Sequence, residues 1–196
     1  MADRVLDWEL LESRYEDAGL ILFEKRIDRL RNPRNGKVFD RLVLESADWV
    51  NVVALDEQRR SVMIRQYRFG VGYTTLETPG GMVDPGENPK AAAVRELLEE
   101  TGYESDKWTY LGAVEPNPAF HNHLCHHWLA EDVVRTREQD VGEGEAIAVE
   151  LMTQQAVRDA VARGELKHAL ALSALSRVFQ IWPLPFSHDD PCILQD

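Results

Sequence analysis

A chain of 196 residues, 44% hydrophobic and 29% charged, is long enough to bury the core of one domain. It holds no apolar run near the roughly 18 residues that a membrane helix requires. Its net charge of −12 speaks against a nucleic-acid partner, since phosphate backbones are held chiefly by clustered Lys and Arg. The opening stretch MADRVLDWELLESRYED has no basic segment leading into an apolar one, and Cys125 and Cys192 share no metal or redox spacing. A cytoplasmic location with reduced thiols is therefore expected.

Residues 20–30 and 38–46 read as two strands joined across the turn pair Asn35-Gly36, an expected antiparallel hairpin within an N-terminal extension, residues 1–46. Its alternating Leu20, Leu22, Leu42 and Leu44 need an apolar partner, because a two-stranded ribbon is marginal alone. We expect a homodimer built through it. The same hairpin is rich in basic residues, Arg26 and Arg29 among them, which suit either a solvated surface or phosphate contact. Residues 50–55, 61–67 and 73–78 follow as strands, then 108–114, 123–130 and 146–152. Thr153 opens a helix that Gly164 stops, and residues 168–181 form another that ends before Pro183. One main domain, 47–182, and an irregular tail, 183–196, complete the chain. This pattern gives a mixed α/β or α+β fold.

Between the strands at 73–78 and 108–114 lies GMVDPGENPKAAAVRELLEETGY, residues 81–103. Asn88 is a good N-cap, Pro89 suits the first helical position and Gly102 supplies a left-handed stop, so a helix is expected over 89–101. At about 100° per residue, Val94, Leu97, Leu98 and Thr101 form a core stripe with Glu96, Glu99 and Glu100 opposite. Stacked carboxylates destabilise a helix by a few tenths of a kcal/mol per pair unless a cation joins them. Hard carboxylate oxygens favour Mg²⁺ or Mn²⁺ over zinc.

The spacing Gly81, Glu87, then Arg95-Glu96-Leu97-Leu98-Glu99-Glu100-Thr101-Gly102 resembles the Nudix box at every charged and glycine position. Such a match arises by chance in on the order of 10⁻⁸ of windows. The last box residue, Tyr103, stands where the family usually has a bulky aliphatic. The resemblance implies an α/β/α sandwich with a mixed sheet and metal-dependent hydrolysis of a nucleoside diphosphate joined to another group. By the same resemblance Glu96, Glu99 and Glu100 are metal and catalytic residues, the Gly80 carbonyl is a further metal ligand, and Arg95 orients the carboxylates. Glu87 ties the loop to Arg95. A late-loop glutamate serves as general base and metal ligand, here Glu145, with Glu143 the alternative.

Ile64-Arg65-Gln66-Tyr67-Arg68 and Leu76-Glu77-Thr78-Pro79-Gly80 resemble the approach to the box in the ADP-ribose and nucleotide-sugar pyrophosphatases. That subgroup makes Arg68 and Glu77 substrate-site candidates, with Arg26, Arg29 and Phe120 as further contacts and Mg²⁺ as cofactor. A nucleotide sugar, ADP-ribose first, is the substrate so implied. Hydrolysis of dinucleoside polyphosphates is the alternative within the family, and a non-catalytic ADP-ribose sensor the alternative outside enzymes. His121, His123, His126 and His127 lack zinc-site spacing, and strand alternation sends His126 and His127 to opposite faces.

Overall fold

The computed structural model describes residues 7–20 and 22–182. The tail expected to be irregular lies outside the described residues, as does Ile21 of the first expected strand. The described residues fall into two compact units, one within Met1–Ala47 and Glu115–Leu124, the other within Asp48–Val114 and Cys125–Asp196.

The first unit holds a three-stranded antiparallel sheet of β1 (Glu9–Glu16), β2 (Glu24–Arg31) and β3 (Val38–Glu45). Strands β2 and β3 form the expected hairpin, in register from Glu24 opposite Glu45 to Arg31 opposite Val38. Gly36, at φ +67°, makes the left-handed turn. Strand β1 was not legible, since its ELLESRYE sequence sets Leu10 beside Leu11 and all eight residues are exposed. It joins by register with β2 and by Ser13 Oγ donating to Asp28 Oδ1 at 2.7 Å. Leu20 and Leu22 precede β2 rather than belonging to it, because Gly19 turns the chain left-handed at φ +62° between the two strands. Residues 115–124, which sequence order assigns to the larger domain, join this unit. Leu44 N–H donates to the Phe120 carbonyl at 2.7 Å, Asn122 donates to Glu45 at 3.0 Å, and the His121 ring stacks 5.3 Å from Phe23.

The second unit is built on a six-stranded mixed sheet. In chain order its strands are β4 (Trp49–Leu55), β5 (Ser61–Arg68), β6 (Tyr73–Glu77), β8 (Lys107–Val114), β9 (Cys125–Glu131) and β11 (Ile147–Met152). Short β7 (Tyr103–Glu104) and β10 (Val134–Arg135) pair separately. The sheet order is β11-β5-β4-β9-β8, with β6 also on β5, and only β4 with β9 is parallel. Helix α1 (Pro89–Thr101) covers one face, where Ala92, Ala93 and Leu97 pack on Val50, Val52, Ala54 and Val62. Helices α2 (Gln154–Ala162) and α3 (Ala169–Ser176) cover the other, packing on Val53, Leu55, Met63 and Leu76. Each fully buried Leu or Val contributes about 1.5–3 kcal/mol, so the two apolar faces of this sheet fix the layers. The result is the expected α/β/α sandwich. Among the described residues no helix is long and apolar enough to cross a membrane.

The expected ends of α1 are all present. Asn88 accepts from Ala91 N–H at 2.9 Å, Pro89 follows, and Gly102 at φ +74° returns its N–H to the Leu98 carbonyl. Helix α3 ends at Ser176, short of the expected 181. On β9, His126 bonds Asp48 at 3.1 Å while His127 reaches Ser173 of α3 at 3.2 Å, so the two rings do take opposite faces.

His127 is fully buried. Burial, helped by the Arg177 and His126 charges, lowers its imidazole to about 4. The native ring stays neutral while the unfolded chain takes up a proton near pH 6.5, so the unfolded state binds more protons between pH 6.5 and about 4 and stability falls as pH drops through that window. Replacing His127 by Gln, which keeps a donor toward Ser173, should flatten the slope of melting temperature against pH there. Equal slopes in the two proteins would refute the assignment.

Candidate active site

Beyond Glu77 the chain leaves β5 and runs along β4. Val52 and Val50 N–H donate to the Pro79 and Gly81 carbonyls, each at 2.8 Å. That alternation turns the intervening Gly80 peptide to the other edge, where its N–H donates to Glu100 Oε2 at 2.8 Å. A side chain on Gly80 would run into backbone, and one on Gly81 would displace the Glu96 carboxylate. A Cβ on Gly80 would lie 2.1 Å from the Val50 carbonyl oxygen, and one on Gly81 would lie 2.3 Å from Glu96 Oε1. Bare backbone is what lets two helix carboxylates press against the strand.

This arrangement corrects the expected helix faces. Glu100 is only 4% exposed and lies on the buried flank with Ala93 and Leu97, whereas Glu99 stays half exposed and Val94 and Leu98 are half-buried. Residues 93, 96, 97 and 100 fall within an arc of about 100°. A stripe drawn from hydrophobicity alone leaves the carboxylates out of it. Burial pushes the Glu100 carboxyl up to about 8; the Gly80 N–H opposes the shift, and the charges of Glu96 and Glu145 add to it. Burial also raises Glu96, against the pull of Arg95.

Arg95 is the hub of the loop and helix. Its guanidinium donates to Glu87 Oε2 and the Met82 carbonyl at 2.9 Å, to Glu96 Oε1 at 2.8 Å and to Glu99 Oε2 at 3.2 Å. Among the described residues no three His, Cys, Asp or Glu side chains are already gathered around one point. Glu96 and Glu99 lean on Arg95 instead. The donor chemistry nevertheless fits a hard divalent cation: the Glu99 charge raises Glu96 and the Glu96 charge raises Glu100, burial raises both, and the Gly80 N–H bonds Glu100.

Arg68 and Glu77 form a fork-to-fork pair, Nε to Oε1 and Nη2 to Oε2 at 2.8 Å each. Glu77 is completely buried and also accepts from Thr75. Burial alone would raise its carboxyl, but Arg68 and His168 hold it below the usual range. Both Glu77 oxygens are engaged, so it anchors Arg68 rather than facing a ligand. His168 was read only as the start of a helix. It is the N-cap of α3, its Nδ1 accepting from Ala171 N–H at 3.4 Å, which leaves Nε2 to carry the hydrogen 3.5 Å from Glu77 Oε2. A histidine at an N-cap carries little sequence signal, because Ser, Thr, Asp and Asn dominate there.

Glu145 is exposed, in a turn where its N–H donates to the Gly142 carbonyl at 3.0 Å. Its carboxylate raises both Glu96 and Glu100 and favours the charged form of Arg68. Glu143, also exposed, is not among the main causes of those shifts. The remaining candidates lie in the first unit. Arg26 is spent inside the sheet, on both oxygens of Asp28 at 2.9 Å and on Glu45. Arg29 is exposed opposite Asp40, and Phe120 packs edge-to-face on His121 at 4.6 Å.

Residues 46–173 match the NUDIX domain, and the chain belongs to the Nudix family. It is 34% identical over 116 residues to an ADP-ribose pyrophosphatase of Bacillus subtilis, covering 59% of this chain and 63% of that protein. Against an ADP-ribose pyrophosphatase of Mycobacterium tuberculosis it is 32% identical over 183 residues, covering 89% of this chain and 84% of the relative. The crystal structure of an ADP compounds hydrolase superposes with a TM-score of 0.77 at 22% identity, over 90% of this chain and 95% of that one, which supports the fold.

Above about pH 8, where the Glu100 carboxyl is ionised, replacing it by Gln removes a buried charge and keeps the Gly80 hydrogen bond. The metal-free variant should melt at or above the wild-type temperature, since burying a charge costs more than burying an amide. The rise in melting temperature that Mg²⁺ gives the wild type should vanish in it. An unchanged response to Mg²⁺ would remove Glu100 from the ligand set.

Proposed function

We propose that this Nudix protein is a Mg²⁺-dependent pyrophosphatase of nucleoside diphosphate sugars, ADP-ribose foremost, releasing AMP and ribose 5-phosphate in the cytoplasm. The observation that carries the reading is the crowding of Glu96 and Glu100 against the Gly80-Gly81 backbone, beside an Arg68 held rigidly by buried Glu77. The two ADP-ribose pyrophosphatases it resembles support the choice of substrate. Divalent metal bound by Glu96, Glu99, Glu100 and the Gly80 carbonyl would screen the diphosphate charge. Two N–H groups of Arg68 are used on Glu77, and the rest of its fork is offered to a phosphate oxygen. Glu145 accepts the proton of the attacking water as the P–O bond breaks. Arg95 keeps Glu96 and Glu99 oriented.

The reading also includes a homodimer. Leu10, Leu20, Leu22 and Leu42 of the first unit are each more than two-fifths exposed, an apolar surface that a second copy would cover. Light scattering at micromolar concentration should give twice the chain mass, and a monomer would end this part of the proposal.

Chromatography of products from ADP-ribose, a GDP-hexose, a UDP-hexose, a diadenosine polyphosphate and dGTP at equal concentration decides the substrate. Turnover of the nucleotide sugars should lead, and chelator should abolish it. Preference for dGTP or the diadenosine compound would overturn the substrate while leaving the family. Glu145→Gln should lower kcat by at least about 10²-fold, with Glu143→Gln within about threefold of wild type. Loss in Glu143→Gln alone would transfer the role of base.

A further inference from the structure

We propose that Gln139 is a positioning residue for the hydrolysis, its amide tying the end of α1 that carries Glu100 to the stem of the loop that presents Glu145. The inference rests on the function proposed above.

A helix leaves its last carbonyls without internal partners. At the end of α1 the Leu98 carbonyl takes Gly102 N–H at 2.9 Å, and the Glu99 carbonyl takes Asp140 N–H at 2.8 Å. The Glu100 carbonyl takes the Gln139 side-chain amide at 2.5 Å, and the same nitrogen donates to the Ile147 carbonyl at 3.1 Å. Thr136 N–H donates to the Gly102 carbonyl at 2.9 Å. Gly102 admits this approach because a Cβ there would lie 2.1 Å from the Arg137 carbonyl oxygen. Within residues 134–140 only Gln139 is drawn in from solvent.

A primary amide carries two hydrogens on one short, uncharged nitrogen, so it can serve two carbonyls at once; a hydroxyl has one hydrogen and a carboxylate none. Gln139 therefore closes residues 140–147 into a loop at both ends. One end is Asp140 on the Glu99 carbonyl, and the other is Ile147, where β11 enters the sheet opposite Gln66. Glu145 lies two residues before that clamp. Its placement relative to Glu100 is thus braced by the Gln139 amide together with the Asp140 N–H and the pairing of Ile147 with Gln66, in a chemistry where a misplacement of about 1 Å can cost on the order of 10²-fold in rate.

The test uses the full-length protein with Mg²⁺ and Gln139→Met, which keeps the length of the side chain and removes its donor. Well below the melting temperature, kcat should fall at least about tenfold with KM within about twofold of wild type. In a Glu145→Gln background the same change should cost less than about threefold, because a residue that acts through Glu145 has nothing left to position. A purely structural role would cost as much in either background. An undiminished kcat, or an equal loss with and without Glu145, overturns the proposal. Hydrogen exchange of the Glu145 amide provides a readout independent of turnover and should speed up at least about tenfold in Gln139→Met. Unchanged exchange overturns the brace even if the wild type hydrolyses no nucleotide sugar, whereas such inactivity by itself would sink only the function proposed above.

Discussion

The hydrogen bond from Gly80 N–H to buried Glu100 is the constraint around which the second unit is arranged. It goes with a strand that has no side chain at position 80, a helix rotated so that a carboxylate faces inward, and a path in which β6 hands the chain from β5 to β4. Nothing in the hydrophobic core demands these. Leu97, Ala92 and Ala93 pack on Val50, Val52, Ala54 and Val62 without help from position 100. A carboxylate held in so dry a place, raised to about 8, is a cost to folding that a proton or a bound cation would relieve.

Around that contact the positive charge is divided between two arginines with different duties. Arg95 is enclosed by Glu87, Glu96 and Glu99 and acts within the loop and helix. Arg68 is backed by a wholly buried Glu77, which in turn is flanked by Thr75 and His168, so its fork is held from behind and open in front. A rigid guanidinium of this kind loses little freedom when it meets a phosphate. An ammonium in its place could not take both oxygens of Glu77 in the same plane.

How much of this was legible follows from where the partners of each residue lie. The ends of α1 were readable because Asn88, Pro89 and Gly102 act on their own neighbours, and β4 and β5 because their apolar runs demand burial. The box residues were readable through their spacing. Strand β1 was not, since its polar, wholly exposed residues join a sheet through backbone pairing that any sequence can offer. The membership of residues 115–124 in the first unit depends on contacts more than seventy residues away, such as Asn122 with Glu45. His168 and Gln139 were missed for a related reason: the bond by which His168 caps α3 and both bonds of the Gln139 amide go to main-chain atoms, which leave no mark on the residue type of the partner. The burial of Glu100 was hidden because hydrophobic periodicity assigns every carboxylate to solvent.

The manner in which α1 is capped bears on the order in which the molecule can be assembled. Its first turn is completed by adjacent residues, so that end can form as soon as it is synthesised. Its last carbonyls wait for Asp140 and Gln139, some forty residues further on, and Gln139 is itself fixed only when Ile147 arrives. A nascent chain halted before residue 136 would therefore carry a box helix frayed at the end that bears Glu99 and Glu100. The end of the helix that bears Glu99 and Glu100 is complete only once nearly the whole sheet has been made, and an unfinished chain holds those carboxylates in water.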